Sequence, residues 1–164
     1  MQQTATQPAP AGSLQQAQIT AEQKKALVTQ VLEKRLKSGA NWFLWIAGLS
    51  LANSLSAVAG SHFRFIVGLG LTQIIDHLAG SARAAAMVLD VIAAGIFIGF
   101  GMLGRKRQEW AFIVGMILYV LDSLLFVLAK DVVSIAFHLL ALFYLYRGLK
   151  ANEALTRLGA TAHA

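Results

Sequence analysis

The sequence predicts an all-α fold: an integral membrane four-helix bundle with an amphipathic N-terminal helix and an outer-leaflet helix that lies in plane or re-enters. Three observations carry this. The 164 residues are 57% hydrophobic and only 13% charged, with a mean hydropathy of +0.61, far more apolar than a soluble domain of this size keeps in water. Four stretches, 41–59, 84–104, 110–129 and 131–149, each approach the roughly 20 residues needed to cross a hydrocarbon core of about 30 Å. The fourteen Lys and Arg residues cluster at the ends of these stretches instead of forming one patch with interleaved aromatics, which excludes nucleic acid as a partner.

Residues 1–18, rich in Gln, Ala and Thr and carrying the only prolines, Pro8 and Pro10, are expected to be a disordered tail. No apolar core follows the start closely, so they do not read as a cleavable signal. A cytoplasmic amphipathic helix is expected within 19–38, capped by Thr20 with Gln23 completing a capping box. Leu27, Val28, Val31, Leu32 and Leu36 recur at helical spacing. Lys24, Lys25, Lys34, Arg35 and Lys37 fill much of the remainder, a pattern for binding an anionic membrane surface or for packing on neighbouring helices.

The transmembrane domain, 39–150, contains the four spans, and 151–164 is read as a cytoplasmic tail. Residues 61–80 supply the outer-leaflet helix. A fifth span there would put Arg105, Lys106 and Arg107 outside. With both termini cytoplasmic, eleven basic residues lie inside and only Arg64, Arg83 and Lys130 outside. Trp42, Trp45, Trp110, Tyr144 and Tyr146 then fall near the inner interface, where amphipathic rings prefer to sit. The expected location is the plasma (inner) membrane. Gly95 and Gly99 form a GxxxG pair, and Gly48, Ala52 and Ser56 repeat its spacing, which marks candidate helix contacts. The last two spans, joined only around Lys130 and Asp131, form an antiparallel hairpin.

Two acids interrupt these spans. Asp90 and Asp122 each close a Val-Leu-Asp tripeptide in an otherwise apolar run. A carboxylate near mid-membrane costs about 2.5–3.5 kcal/mol on insertion scales, so it faces a partner, a cavity or a pathway. At about 1.5 Å per residue, Asp90, Asp122, His138 and Asn53 all fall roughly 10 Å below the outer boundary, with Ser134 one turn from His138. Gln73, Asp76 and His77 of the 61–80 segment add to this layer from above.

Four chemistries fit such a layer. One is a structural polar network fixing helix register. A second is a metal site on Asp90, Asp122 and His138 for zinc or another divalent ion, although no His-Glu-x-x-His or cysteine pair supports it. The third is a proton or cation path, and the fourth a small-ligand or lipid-headgroup pocket. The reading adopted is a small multi-pass membrane protein without enzymatic activity or cofactor, a structural or accessory subunit. Its expected partners are the lipid bilayer and either further copies or a larger membrane complex. The alternative is a metal-dependent membrane enzyme or a proton- or cation-handling protein using the same residues.

Overall fold

The computed structural model describes residues 11–58, 83–128 and 130–160, and among these the chain is four α-helices with no strand. They are α1 (Ala11–Val58), α2 (Arg83–Arg105), α3 (Glu109–Leu128) and α4 (Val132–Ala160). The last three each contain a stretch long and apolar enough to cross a membrane. The apolar half of α1 falls short of that measure, because Asn41, Ser50, Asn53, Ser54 and Ser56 dilute it.

α1 departs most from expectation. The amphipathic helix and the first span are one helix of 48 residues, about 70 Å long. Residues 11–18, expected to be disordered, are helical, since Leu14, Gln15, Gln16, Ala17 and Gln18 are all good helix formers. Thr20, expected as the cap, lies inside the helix and not at its start. A helix flat on the membrane over 21–37 needs a bend before a span at 41; α1 runs unbroken through Ser38, Gly39 and Ala40, with no proline to bend it. α4 likewise outruns its expected end. Ala151, Asn152 and Leu155, read as tail, are buried.

Each helix turns one stripe inward at three- and four-residue spacing. On α1 it runs through Leu36, Ala40, Phe43, Ala47, Ser50 and Ser54; on α2 through Asp90, Ala94, Phe97, Gly101 and Gly104; on α3 through Phe112, Gly115, Tyr119, Asp122 and Phe126; on α4 through Ser134, His138, Ala141, Leu145, Gly148 and Asn152. Phe43 is the hub of the core, with ring centroids 6.1, 5.9 and 5.8 Å from Phe97, Phe100 and Phe112. Gly115 leaves the room that the Phe43 ring occupies: a Cβ there would come within 2.5 Å of it.

Successive helices are antiparallel. Ala40 and Leu44 meet Gly101 while Ser54 meets Asp90, so α1 ends and α2 begins at the same end of the bundle. The helix read over 61–80 lies outside the described residues, as do Gln73, Asp76 and His77 within it.

The two short turns share one construction. After α2, Gln108 N–H donates to Leu103 O and Arg107 N–H to Gly104 O, and Arg107 takes φ 63°. After α3, Asp131 N–H donates to Phe126 O and Lys130 N–H to Val127 O, and Lys130 takes φ 56°. Both are Schellman closures with a long basic side chain where glycine is usual. α1 and α4 approach most closely where Gly39 meets Gly148. A Cβ on Gly39 would lie 2.6 Å from Gly148 Cα. The glycines expected to make helix contacts behave oppositely: Gly48, Gly95 and Gly99 have open space where a side chain would go. Spacing along one helix identifies a small-residue face but not which face a partner covers.

Candidate functional site

The inward stripes carry polar residues toward the end of the bundle away from the α2–α3 turn. Asp90 and His138 are 0% and 1% exposed and Asp122 8%, so these three of the acid and imidazole groups singled out from sequence are buried. They are distributed between two joints. At the α1–α2 joint Ser54 Oγ bonds Asp90 Oδ2 at 2.5 Å, and the same hydroxyl lies 3.2 Å from the carbonyl of Ser50. A hydroxyl has one proton to give, so two proton placements suit these contacts. Either Ser54 donates to an Asp90 carboxylate, or a protonated Asp90 donates to Ser54, which donates on to Ser50.

At the α3–α4 joint His138 Nε2 lies 3.2 Å from Asp122 Oδ2, and His138 Nδ1 lies 2.8 Å from the Ser134 carbonyl. A carbonyl only accepts, so Nδ1 carries a hydrogen. The contact between Nε2 and Asp122 then takes one more proton, held by either partner. The pair is thus a carboxylic acid on an imidazole or a carboxylate on an imidazolium, and both have the same net charge. The imidazole is held in place by aromatic faces: Tyr119 stacks on it at 4.4 Å and 15°, and Phe126 packs at 4.8 Å. Tyr119, Asp122 and Phe126 are consecutive positions on one stripe of α3, so a single helical face supplies both the clamp and the acid.

This joint continues to the start of α4. Asp131 caps the helix, its Oδ1 accepting Ser134 N–H at 3.2 Å and its Oδ2 accepting the Ser134 hydroxyl at 2.6 Å. The hydroxyl first, and then the amide of Ser134, hold the Asp131 carboxyl below the usual carboxylate range. Ser134 therefore links the cap to His138, as its expected place one turn away on the same face implies.

Asn53, the α1 residue expected in this layer, is half-buried beside the fully turned-in Ser54. Ser50 and Ser54 were not singled out from sequence. Their signal is the stripe Phe43, Ala47, Ser50, Ser54, whose apolar members fix the inward face. Among the described residues no group of three or more His, Asp and Glu side chains is placed to hold a metal ion.

The opposite end is a second polar region. Arg105 bonds Asn41 Oδ1 through Nε at 3.0 Å and Nη2 at 2.5 Å, and Arg107 pairs with Glu33 at 2.8 Å. Asn152 Nδ2 donates to Arg107 O at 3.1 Å, pinning the left-handed turn residue to α4. The basic N-terminal part of α1, the α2–α3 turn and the C-terminal part of α4 thus share one end. Asn152, 1% exposed, is a buried polar residue at this basic end, in a stretch read from sequence as tail. Lys24, Lys25, Lys34, Arg35 and Lys37 are all exposed along α1. Comparison with family models, with curated proteins and with solved structures finds no match for this chain.

Proposed function

We propose that the chain is a small multi-pass membrane protein of structural or accessory function, crossing the plasma (inner) membrane with α1 to α4 and keeping both termini cytoplasmic. The observation that carries this reading is inverted polarity. Only a third of each of the three most apolar stretches faces the interior, and their outer faces present Val91, Ile92, Ile117, Leu121, Leu139 and Phe143. Asp90, Asp122, Ser134 and His138 point inward instead. Water would penalise so large an apolar exterior, whereas hydrocarbon accepts it. α1 completes the bundle as the fourth crossing, its Ser54 turned to α2 and its Trp45 and Leu55 outward. The basic end, carrying Arg105, Lys106, Arg107 and the lysines of α1, is the cytoplasmic one by charge.

In hydrocarbon, apolar contact scarcely distinguishes a helix from a lipid tail, so polar joints choose partners and register. The two buried pairs suit that role. Reporter fusions after Arg107 and after Lys130 test the reading. An internal Arg107, an external Lys130 and a chain retained in membranes through an alkaline wash support it; an external Arg107 or a chain released by the wash overturns it.

One observation favours a second reading. The single proton shared by Asp122 and His138 gives the pair the makings of a proton-handling site. Proton uptake by protein reconstituted in liposomes, present in the native chain and absent in Asp122→Asn, separates it from a purely structural pair.

A further inference from the structure

The Gly39–Gly148 crossing has a cleft on its basic side. A cavity of about 370 Å³ between α1 and α4 is lined by Val31, Lys34, Arg35, Ser38, Tyr144 and Arg147. A smaller one of about 160 Å³ shares Arg35 and Arg147 and adds Lys150. The larger cleft holds three cations and a hydroxyl, and no carboxylate lines it. The nearby acids are engaged elsewhere: Glu33 pairs with Arg107 and Glu153 with Lys150, each at 2.8 Å. Among the described residues Lys34, Arg35 and Arg147 have no acidic partner. Arg147 is nonetheless positioned, its guanidinium 5.6 and 5.8 Å from the ring centres of Phe143 and Tyr144. Tyr144 in turn stacks on Trp42 at 4.9 Å and 12°.

We infer that this cleft binds the phosphate of an anionic glycerophospholipid. Three uncompensated cations converging between two helices are chemistry for a phosphodiester, and Ser38 adds a hydroxyl donor. The cleft's surroundings select a lipid over a soluble anion. A neighbouring cavity shares Lys34 and Ser38 and opens onto Trp42 and Trp45, and Trp45 and Phe143 lie exposed on the apolar exterior where acyl chains would run. Net negative headgroups such as phosphatidylglycerol fit; a zwitterionic headgroup brings its own cation to a site already rich in them. The inference rests on the membrane reading, since only a chain in the bilayer meets such a ligand at this level.

The test is binding of phosphatidylglycerol, phosphatidylcholine and inorganic phosphate to the full chain in neutral detergent micelles, measured by native mass spectrometry. Phosphatidylglycerol is expected to bind in preference to the other two. Arg147→Gln and Arg35→Gln each lower its affinity by about tenfold or more, the loss of one charge-assisted hydrogen bond. Arg147→Lys keeps part of it, and Lys106→Gln, which removes charge from an exposed position in the α2–α3 turn, leaves it within about twofold. Thermal unfolding of each variant reports folding, and Arg35→Gln, on an exposed side chain, retains the native transition. Equal binding of inorganic phosphate, equal retention of phosphatidylcholine, or equal loss in the Lys106 variant would each overturn the inference. Release from native membranes by alkaline wash, read separately, tests the membrane reading itself.

Discussion

Replacing Gly39 with Ala adds one methyl group at the tightest point of the bundle. Its Cβ would sit 2.6 Å from Gly148 Cα, 2.9 Å from Tyr144 O and 3.0 Å from Gly148 N, all main-chain atoms of α4 that cannot rotate away. Bringing the first contact to an ordinary 3.4 Å separates the helices locally by about 0.8 Å. A gap of that size forfeits roughly a quarter to a half of the dispersion energy of the atom pairs across it. Overpacking of this kind costs about 1–3 kcal/mol, and loosening the Trp42–Tyr144 stack adds about 0.5–1 kcal/mol. Alanine returns about 1 kcal/mol through its higher helix propensity. The net expectation is a loss of about 2 kcal/mol. Gly95→Ala is the matched control: its Cβ meets nothing within 4 Å, so propensity acts alone and raises stability by up to about 1 kcal/mol. Denaturation of purified protein in micelles, followed by circular dichroism with helix content checked before melting, measures both. A stable Gly39→Ala alongside a weakened Gly95→Ala would refute the assigned crossing and restore the GxxxG pair as the packing face.

Four further outcomes follow from the joints and turns. Asp122→Leu and His138→Phe each strip one partner from a buried pair and are expected to lose about 3 kcal/mol or more, while the double variant recovers most of it; independent losses in a double-mutant cycle would contradict the pairing. Lys130→Gly relieves a left-handed residue and should gain about 0.5–1 kcal/mol in the same melt, whereas a loss would argue against the turn geometry. Asp131→Ala removes the α4 cap and costs about 1 kcal/mol at neutral pH. Because the folded Asp131 carboxyl lies below its ordinary value of 3.8, that advantage is complete above this value and fades as pH falls through the lowered one; native and Asp131→Ala melts converge in acid. Asn152→Leu frees Arg107 O from α4 and should cost about 1 kcal/mol, read as earlier local opening of the α2–α3 turn by hydrogen exchange.

What sequence could and could not reveal follows from the range over which each signal acts. Asp90, Asp122 and His138 stand out because each breaks an apolar run, and the neighbours that share their stripe lie three or four residues away. Depth arithmetic along separate helices then aligned Asp90 and Asp122 without saying which helix each one meets. Ser54 escaped notice because serine is unremarkable in an apolar helix until its facing residue is known. Gly39 and Gly148 are remote in sequence and no local pattern joins them, whereas Gly95 and Gly99 satisfy a pattern and face outward. The break expected between 37 and 41 rested on a change of composition. A change from charged to apolar residues alters where a helix sits and leaves its hydrogen bonds intact, so α1 continues through it.

α1 touches every other helix through a different chemistry, and that variety is what fixes the arrangement. It offers Ser54 to Asp90 and Asn41 to Arg105 on α2, the Phe43 ring to Gly115 on α3, Gly39 to Gly148 on α4, and Glu33 to Arg107 in the α2–α3 turn. Two of these bind α1 to α2 at widely separated levels, so sliding by one turn would break both at once and strand Asp90 away from Ser54. The steric joints add a different constraint. Gly39 and Gly115 admit a close neighbour only at their own level, so an α1 slipped by one turn would press Arg35 or Phe43, four residues from Gly39, against α4 and draw Phe43 out of its niche. An apolar helix in hydrocarbon has little reason of its own to prefer one register. In the proposed bilayer setting register is set by the buried Ser54–Asp90 bond, for which hydrocarbon offers no water in exchange, and by glycines that accept a close neighbour at one level alone. On this account α1, the least apolar of the four, is the helix that decides how the other three stand.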